Sequence, residues 1–201
     1  MISCLFGPPG CGKSSVLTLI AQKELKRIAN KKSKYKYVYT NFPCAGCGKI
    51  EFGRLGDFYY HDALILLDEL TLSADSRDYK TFPRKAKEFI TLHRHFGIDI
   101  IFAVQDYSRA EKTIRECCVN LYYITSFLGL FSVSRPIYRT IAINEYVGDL
   151  IMGYRFPTLS ELLGGGLKFY PIFRARRYYD SYDKFGFDKL PSPPSDHWPS
   201  R

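Results

Sequence analysis

The sequence lacks the features that would mark a membrane-spanning, secreted or fibrous protein. Of its 201 residues one is tryptophan and two are methionine, and its apolar runs are short. The longest, Leu121 to Val133, is broken by Thr125, Ser126, Gly129 and Ser132. A spanning helix needs roughly 18 or more consecutive apolar residues, so this run does not qualify. No basic leader with a small-residue cleavage site opens the chain, because Met1 passes straight into the apolar Ile2–Phe6. The six scattered cysteines are therefore expected as reduced thiols of a cytoplasmic protein. No internal repeat is visible. Acid is also scarce: 20 Asp+Glu stand against 29 Lys+Arg, for a formal net charge of +9. That imbalance tilts the chain toward polyanionic partners such as nucleic acid, nucleotide phosphates or anionic lipid. A hydrophobic share of 46% and a charged share of 24% belong to an ordinary globular domain. They exclude a disordered chain and a small scaffold that depends on disulfides.

What is present alternates between strand and helix. Ile2 to Phe6 is an apolar run ending in Gly7-Pro8-Pro9-Gly10, a strand feeding a tight loop. Val16, Leu17, Ile20, Leu25 and Ile28 then recur near helical spacing. Tyr35 to Thr40 predicts a second strand. Ala63 to Leu67 is an unbroken apolar run and Ile98 to Val104 is apolar but for Asp99 near its start, as expected of parallel strands buried on both faces. Arg84 to His95 has helical character closed by Gly97, and Ser108 to Val119 predicts a helix with Ser108 as N-cap. From Leu121 to Tyr146 the texture becomes β-branched and aromatic, with strands expected to be split at Gly129 and at Ser134-Arg135-Pro136. Thr158 to Leu163 is at most a short helix before Gly164-Gly165-Gly166. The expected division is a domain over 1–189, with a β-rich extension over about 120–175, and a Pro/Ser-rich tail over 190–201. The fold class is α/β with a parallel sheet.

The chemistry concentrates at the first loop. Gly7-Pro8-Pro9-Gly10-Cys11-Gly12-Lys13-Ser14 satisfies G-x-x-x-x-G-K-[ST], with a strand before it and a helix after it. Glycines let backbone N–H groups turn inward around a phosphate, and the helix aims its positive end at the same point. Lys13 supplies a cation to the β- and γ-phosphates, the Ser14 hydroxyl can ligate Mg²⁺, and Ser15 can reach the α-phosphate. Asp68 and Glu69 follow the buried run Ala63–Leu67, at the strand end where open α/β sheets bind ligands. There Asp68 can hold Mg²⁺ and Glu69 can polarise an attacking water. Gln105, at the end of the next apolar strand, can hydrogen-bond the γ-phosphate or that water. This arrangement predicts a P-loop NTPase of the additional-strand type, in the ATPase branch. Rival readings are a nucleotide-gated DNA-binding or assembly scaffold that hydrolyses weakly and, less favoured, a small-molecule kinase.

The order of these motifs, with Leu64–Glu69 followed by Arg94-His95-Phe96-Gly97-Ile98-Asp99-Ile100 and a strand ending at Gln105, resembles the zonular occludens toxin (Zot) family, which includes the gene I assembly proteins of filamentous phages. Lys112 to Arg115 and the late Tyr178-Tyr179-Asp180-Ser181-Tyr182 extend the resemblance. It implies a phage-morphogenesis ATPase related to the FtsK–HerA type. Such a protein would act at the host inner membrane, exporting single-stranded DNA and assembling coat protein. It also implies ATP and Mg²⁺ as cofactors, with Lys13, Ser14, Asp68, Glu69 and Gln105 as the nucleotide site. The family's membrane-spanning segment is not matched here, so a membrane partner or anchor protein is expected.

Further sites stand beside bland alternatives. Motor ATPases often complete their site with an arginine from the next subunit of a ring, and Arg94 and Arg115 are the candidates, although for each a surface or salt-bridged arginine is the preferred reading. Lys23, Lys26, Arg27, Lys31, Lys32, Lys34 and Lys36, interleaved with Tyr35, Tyr37 and Tyr39, can track a nucleic-acid backbone or simply form a solvated helix end. Arg174, Arg176 and Arg177 with Tyr178 and Tyr179 form a second such cluster. Cys44-Ala45-Gly46-Cys47 has half the ligands of a structural zinc site, and no second C-x-x-C supplies the rest, so a plain turn is preferred.

Overall fold

The computed structural model describes residues 1–51, 54–58, 60–69, 84–110, 112–143 and 150–179. The predicted tail over 190–201 and Asp180-Ser181-Tyr182 lie outside them. In chain order the elements are β1 (Ile2–Phe6), α1 (Lys13–Ala29), β2 (Tyr37–Thr40), β3 (Gly48–Lys49), β4 (Ala63–Leu67), α2 (Arg84–Leu92), β5 (Asp99–Val104), α3 (Lys112–Cys117), β6 (Cys118–Phe127), β7 (Phe131–Ile143), β8 (Leu150–Arg155), α4 (Leu159–Glu161), β9 (Lys168–Pro171) and α5 (Ile172–Tyr179).

Among the described residues the strands form a mixed, mostly parallel sheet in the order β3-β2-β4-β5-β1-β6-β7-β8, with β9 also on β7. β1 runs parallel to both β5 and β6, and β4 runs parallel to β2 and β5. The crucial feature is that β5 stands between β1 and β4. The strand entering the glycine loop and the strand ending in Asp68 are thus not neighbours, which is the additional-strand arrangement.

The apolar runs are explained by two cores. Every residue of β4 is buried. Ala63, Ile65 and Leu67 face one core with Phe89 and Ile90 of α2 and Ile114 of α3, while Leu64 and Leu66 face the other with Val16, Leu17 and Ala21 of α1. A strand with helices on both faces has no solvent side, so its sequence shows no alternation.

Two local expectations fail. The predicted helix from Ser108 is a 3-10 turn over Tyr107–Arg109 followed by the short α3, and the strand β6 already starts at Cys118. The cap is Asp106, whose Oδ1 accepts from Ser108 N at 2.9 Å and Ser108 Oγ at 2.8 Å. Nor does Ser134-Arg135-Pro136 break the strand. β7 runs through it, pairing with β6 along one edge. Its other edge takes β9 up to Ser134 and β8 from Tyr138, so Pro136 falls in the interval with neither. That is where a missing N–H costs the ladder least. The antiparallel strands β7, β8 and β9 join the same sheet as the parallel strands.

Candidate functional site

The glycine loop leaves β1 at its carboxyl end and closes directly into α1. Gly12 caps the helix with a left-handed backbone, φ 87°. A side chain there would also collide with its surroundings, since a Cβ would lie 2.2 Å from Ser132 Oγ. At Gly7 a Cβ would lie 2.2 Å from the backbone oxygen of Ile124. These two positions are glycine because β6 and β7 press against the loop. The first turn of α1 carries no acidic side chain, so nothing there offsets its positive end.

Lys13 is buried, and its Nζ donates to the carbonyls of Gly7 at 2.8 Å and Pro8 at 3.0 Å. The ammonium therefore sits within the loop's own oxygens. The Cys11 side chain is buried in the α1-side core, and its carbonyl accepts from Ser132 Oγ at 2.8 Å.

Asp68 and Glu69 leave the carboxyl end of β4. Burial pushes the Asp68 carboxyl above its usual range, against a hydrogen bond from the Ser14 hydroxyl that lowers it. Glu69 is exposed, has a left-handed backbone at φ 48°, and donates its N–H to Asp68 Oδ1 at 3.0 Å. Gln105 leaves the carboxyl end of β5. Pro9, Gly10, Gly12, Lys13, Ser14 and Ser15 share one cavity of about 400 Å³ with Asp68, Glu69 and Gln105. Such a volume is within the range of small-molecule sites.

The sequence pattern from 26 to 144 matches the family model described as zonular occludens toxin (Zot). The chain belongs to the Zot family. The match covers Asp68, Glu69 and Gln105, and it begins inside α1, beyond the glycine loop. In fold, the chain is similar to the N-terminal domain of zonular occludens toxin from Neisseria meningitidis, at 17% identity and a TM-score of 0.52, over 79% of this chain and 95% of that one. Weaker likenesses are to the flagellar accessory protein FlaH from Methanocaldococcus jannaschii (TM-score 0.43, 10% identity, 78% of this chain and 89% of that one). Another is to B204, the DNA-packaging ATPase from Sulfolobus Turreted Icosahedral Virus (TM-score 0.43, 10% identity, 78% and 97%). No curated protein matches the chain.

Five further residues of this Zot-family site lie outside the sequence expectations. Asn41, just past β2, clamps the Asp68 peptide: its Nδ2 donates to Asp68 O at 2.8 Å and its Oδ1 accepts from Asp68 N at 2.6 Å. Asn41 follows the same rule as Asp68 and Gln105, a polar residue at the end of a parallel strand. Ser132 steadies the loop from β7. Ser126, Gly129 and Ile172 line the far wall of the cavity. Nothing local marks these last residues, which arrive through long-range pairing.

Neither arginine candidate lines this cavity within its own chain. Arg94 is exposed in the turn before β5, at the amino ends of the parallel strands, whereas the cavity opens at their carboxyl ends. Arg115 lies in α3 with its Nε buried, and its carbonyl accepts from Tyr107 Oη at 3.1 Å. Of the basic run, Lys34 pairs with Asp99 at 2.7 Å, Lys36 with Asp62 at 2.8 Å and Arg27 with Glu24 at 3.2 Å. Lys23, Lys26, Lys31 and Lys32 stay exposed, but Tyr39 is in the core and offers no stacking surface.

Cys44 and Cys47 are both buried, with Gln22 Nε2 donating to Cys44 Sγ at 3.5 Å. The hydrogen bond between the thiols lowers Cys44 and raises Cys47. Among the described residues no group of three or more His, Cys, Asp or Glu is placed to hold a metal.

Proposed function

We propose that this chain is a Mg²⁺-dependent ATPase of phage morphogenesis, coupling ATP hydrolysis to DNA export or packaging and to virion assembly at the host inner membrane. One juxtaposition carries the reading: Lys13, Ser14 and the start of α1 face Asp68, Glu69 and Gln105 across a single cavity. Membership of the Zot family supports the phage setting.

The donor set fits magnesium. Ser14 and Asp68 are hydrogen-bonded to each other and offer one hydroxyl and one carboxylate. That leaves most of a hard cation's shell to phosphate and water, as Mg²⁺ prefers. When bound, the ion offsets charge on the phosphate oxygens. Lys13 exchanges the Gly7 and Pro8 carbonyls for the β- and γ-phosphates. Glu69 takes the proton of a water positioned by Gln105 as its oxygen bonds to the γ-phosphorus, and the bond to the β–γ bridging oxygen breaks, so ADP leaves with that oxygen.

In a ring of copies, Arg94 or Arg115 would supply a cation to the neighbouring site. Single-stranded DNA, coat or assembly proteins and a membrane anchor partner complete the same reading, with residues 1–189 as the ATPase domain.

Phosphate release by the purified chain with Mg²⁺ and ATP, with and without single-stranded DNA, tests the proposal. DNA should raise turnover, and Lys13→Ala and Glu69→Gln should each lower it by about a hundredfold or more. Turnover unchanged in both variants overturns the site. A weakly hydrolysing scaffold would bind ATP without a response to DNA, and a kinase would need an added acceptor.

A further inference from the structure

The cavity has two ends of unlike chemistry. From the glycine loop toward β5 and β4 its wall carries Gln105, Asp68 and Glu69. From the loop toward β6 and β7 it carries Ser126, Gly129 and Ile172, with no charged side chain on that side among the described lining residues. An elongated ligand lying across the loop therefore meets charge at one end and neutral, partly apolar surface at the other.

The neutral end is the turn joining β6 to β7, where Phe127 and Phe131 are paired. Leu128 and Gly129 both take left-handed backbone, at φ 53° and 65°. The turn is held in place: Ile172 N donates to Leu130 O at 2.9 Å, and Ser132, just beyond it, donates to the Cys11 carbonyl of the glycine loop. A Cβ built on Gly129 would meet nothing within 4 Å, so this position faces open space. Around it Phe127, Leu128 and Leu130 are exposed by 52%, 77% and 54%. These three large apolar side chains are chain neighbours of the lining residues Ser126 and Gly129, and exposed apolar surface gains free energy when an apolar group covers it.

We infer that this turn, Ser126 to Leu130, with Ile172 beside it, is the nucleoside subsite. The base and ribose of a nucleoside triphosphate lie against it while the phosphates occupy the glycine loop. The inference rests on the nucleotide reading above and adds what that reading leaves open, the residues that meet the nucleoside. The proposed roles set the direction: Ser14 and Asp68 would share the magnesium ion and Glu69 would take a proton from the attacking water, so the γ-phosphate lies toward them and the nucleoside lies toward β6 and β7. On that side Ser126 is the polar side chain of the lining, and the rest is backbone and apolar surface. Recognition is then by apolar contact and shape. Discrimination between bases is weak, because strong discrimination requires buried polar groups that a wrong base leaves unpaired.

Calorimetric titration of the full chain with ATP, GTP and inorganic tripolyphosphate separates this inference from the nucleotide reading. Wild-type protein should bind ATP about tenfold or more tighter than tripolyphosphate, with GTP within about fivefold of ATP. Ser126→Trp, which fills the subsite, should weaken ATP by about tenfold or more and leave tripolyphosphate within about twofold. Leu128→Ser should weaken ATP selectively by a smaller factor. If Lys13→Ala abolishes both ligands while Ser126→Trp and Leu128→Ser leave ATP untouched, the nucleotide reading stands and the subsite is overturned. If ATP binds no tighter than tripolyphosphate, the subsite is likewise overturned. Should Ser126→Trp lose both ligands, Leu128→Ser decides, with selective loss of ATP in support and equal losses against. Failure of Lys13→Ala to affect either ligand overturns both readings.

Discussion

Replacing Asn41 with alanine removes the two hydrogen bonds that fix the Asp68 peptide, at 2.8 Å and 2.6 Å. A net intramolecular hydrogen bond contributes about 0.5–1.5 kcal/mol, and a buried group left without a partner costs about 1–3 kcal/mol. Both Asp68 backbone groups lie in a half-buried site, so water recovers part of the loss and the expected cost is about 2–3 kcal/mol. For a chain of 150–250 residues each kcal/mol moves the melting temperature by about 2–4 °C, so Asn41→Ala should melt about 4–12 °C lower. The consequence for function is more selective. Lys13, Ser14 and the glycine loop are untouched, so nucleotide affinity should stay close to wild type. Asp68 and Glu69 lose their register against the loop, so turnover should fall by about tenfold or more, a misplacement effect. Differential scanning calorimetry and steady-state phosphate release measure the two arms. A melting shift under about 2 °C together with turnover within about twofold would show that the clamp neither stabilises β4's end nor positions its acids.

Ser132→Ala should lower stability by about 1–2 kcal/mol in a denaturant titration, because the buried Cys11 carbonyl loses its donor; an unchanged midpoint would remove β7 as a support of the loop. Burial raises the Asp99 carboxyl, yet hydrogen bonds from Lys34, the Met1 amino group and Tyr35 outweigh it and hold the group at about 2. Its folded value lies below the unfolded value of about 3.9, so its contribution is complete above about pH 5 and is lost as pH falls toward 2. Asp99→Asn should flatten that acid limb, and parallel profiles for variant and wild type would refute the assignment. Zinc titration should leave the melting temperature within about 1 °C, since a structural site needs four ligands and the Cys44–Cys47 pair supplies two; a large upward shift would reveal partners beyond the described residues.

Legibility along this chain follows the range of the interactions involved. The glycine loop is legible because backbone N–H groups, a helix start and Lys13 are all products of adjacent residues. β4 and β5 are legible because helices on both faces leave their sequences without alternation. Ser108 misleads because a competing acceptor, Asp106, lies two residues earlier and captures the cap. Pro136 misleads because the cost of a proline depends on what lies beside the strand, and that is decided by β8 and β9 far along the chain. Asn41 obeys the strand-end rule that selects Asp68 and Gln105 and differs from Asp68 only in lacking charge.

The two halves of the cavity differ in the same way. Binding phosphate demands particular groups at particular spacings, so a short motif announces it. Covering a nucleoside demands only apolar contact area in the right place, and many residue types supply that. Ser132 reaches the loop from 121 residues away, and the turn beside it is carried there by the antiparallel pairing of β6 with β7. If the nucleoside subsite lies on that turn, the Ser132 hydrogen bond ties the wall that meets the base to the Cys11 carbonyl. Occupancy of the apolar half would then be felt by the loop that grips the phosphates. A ligand lacking the nucleoside would fill the loop without engaging that connection.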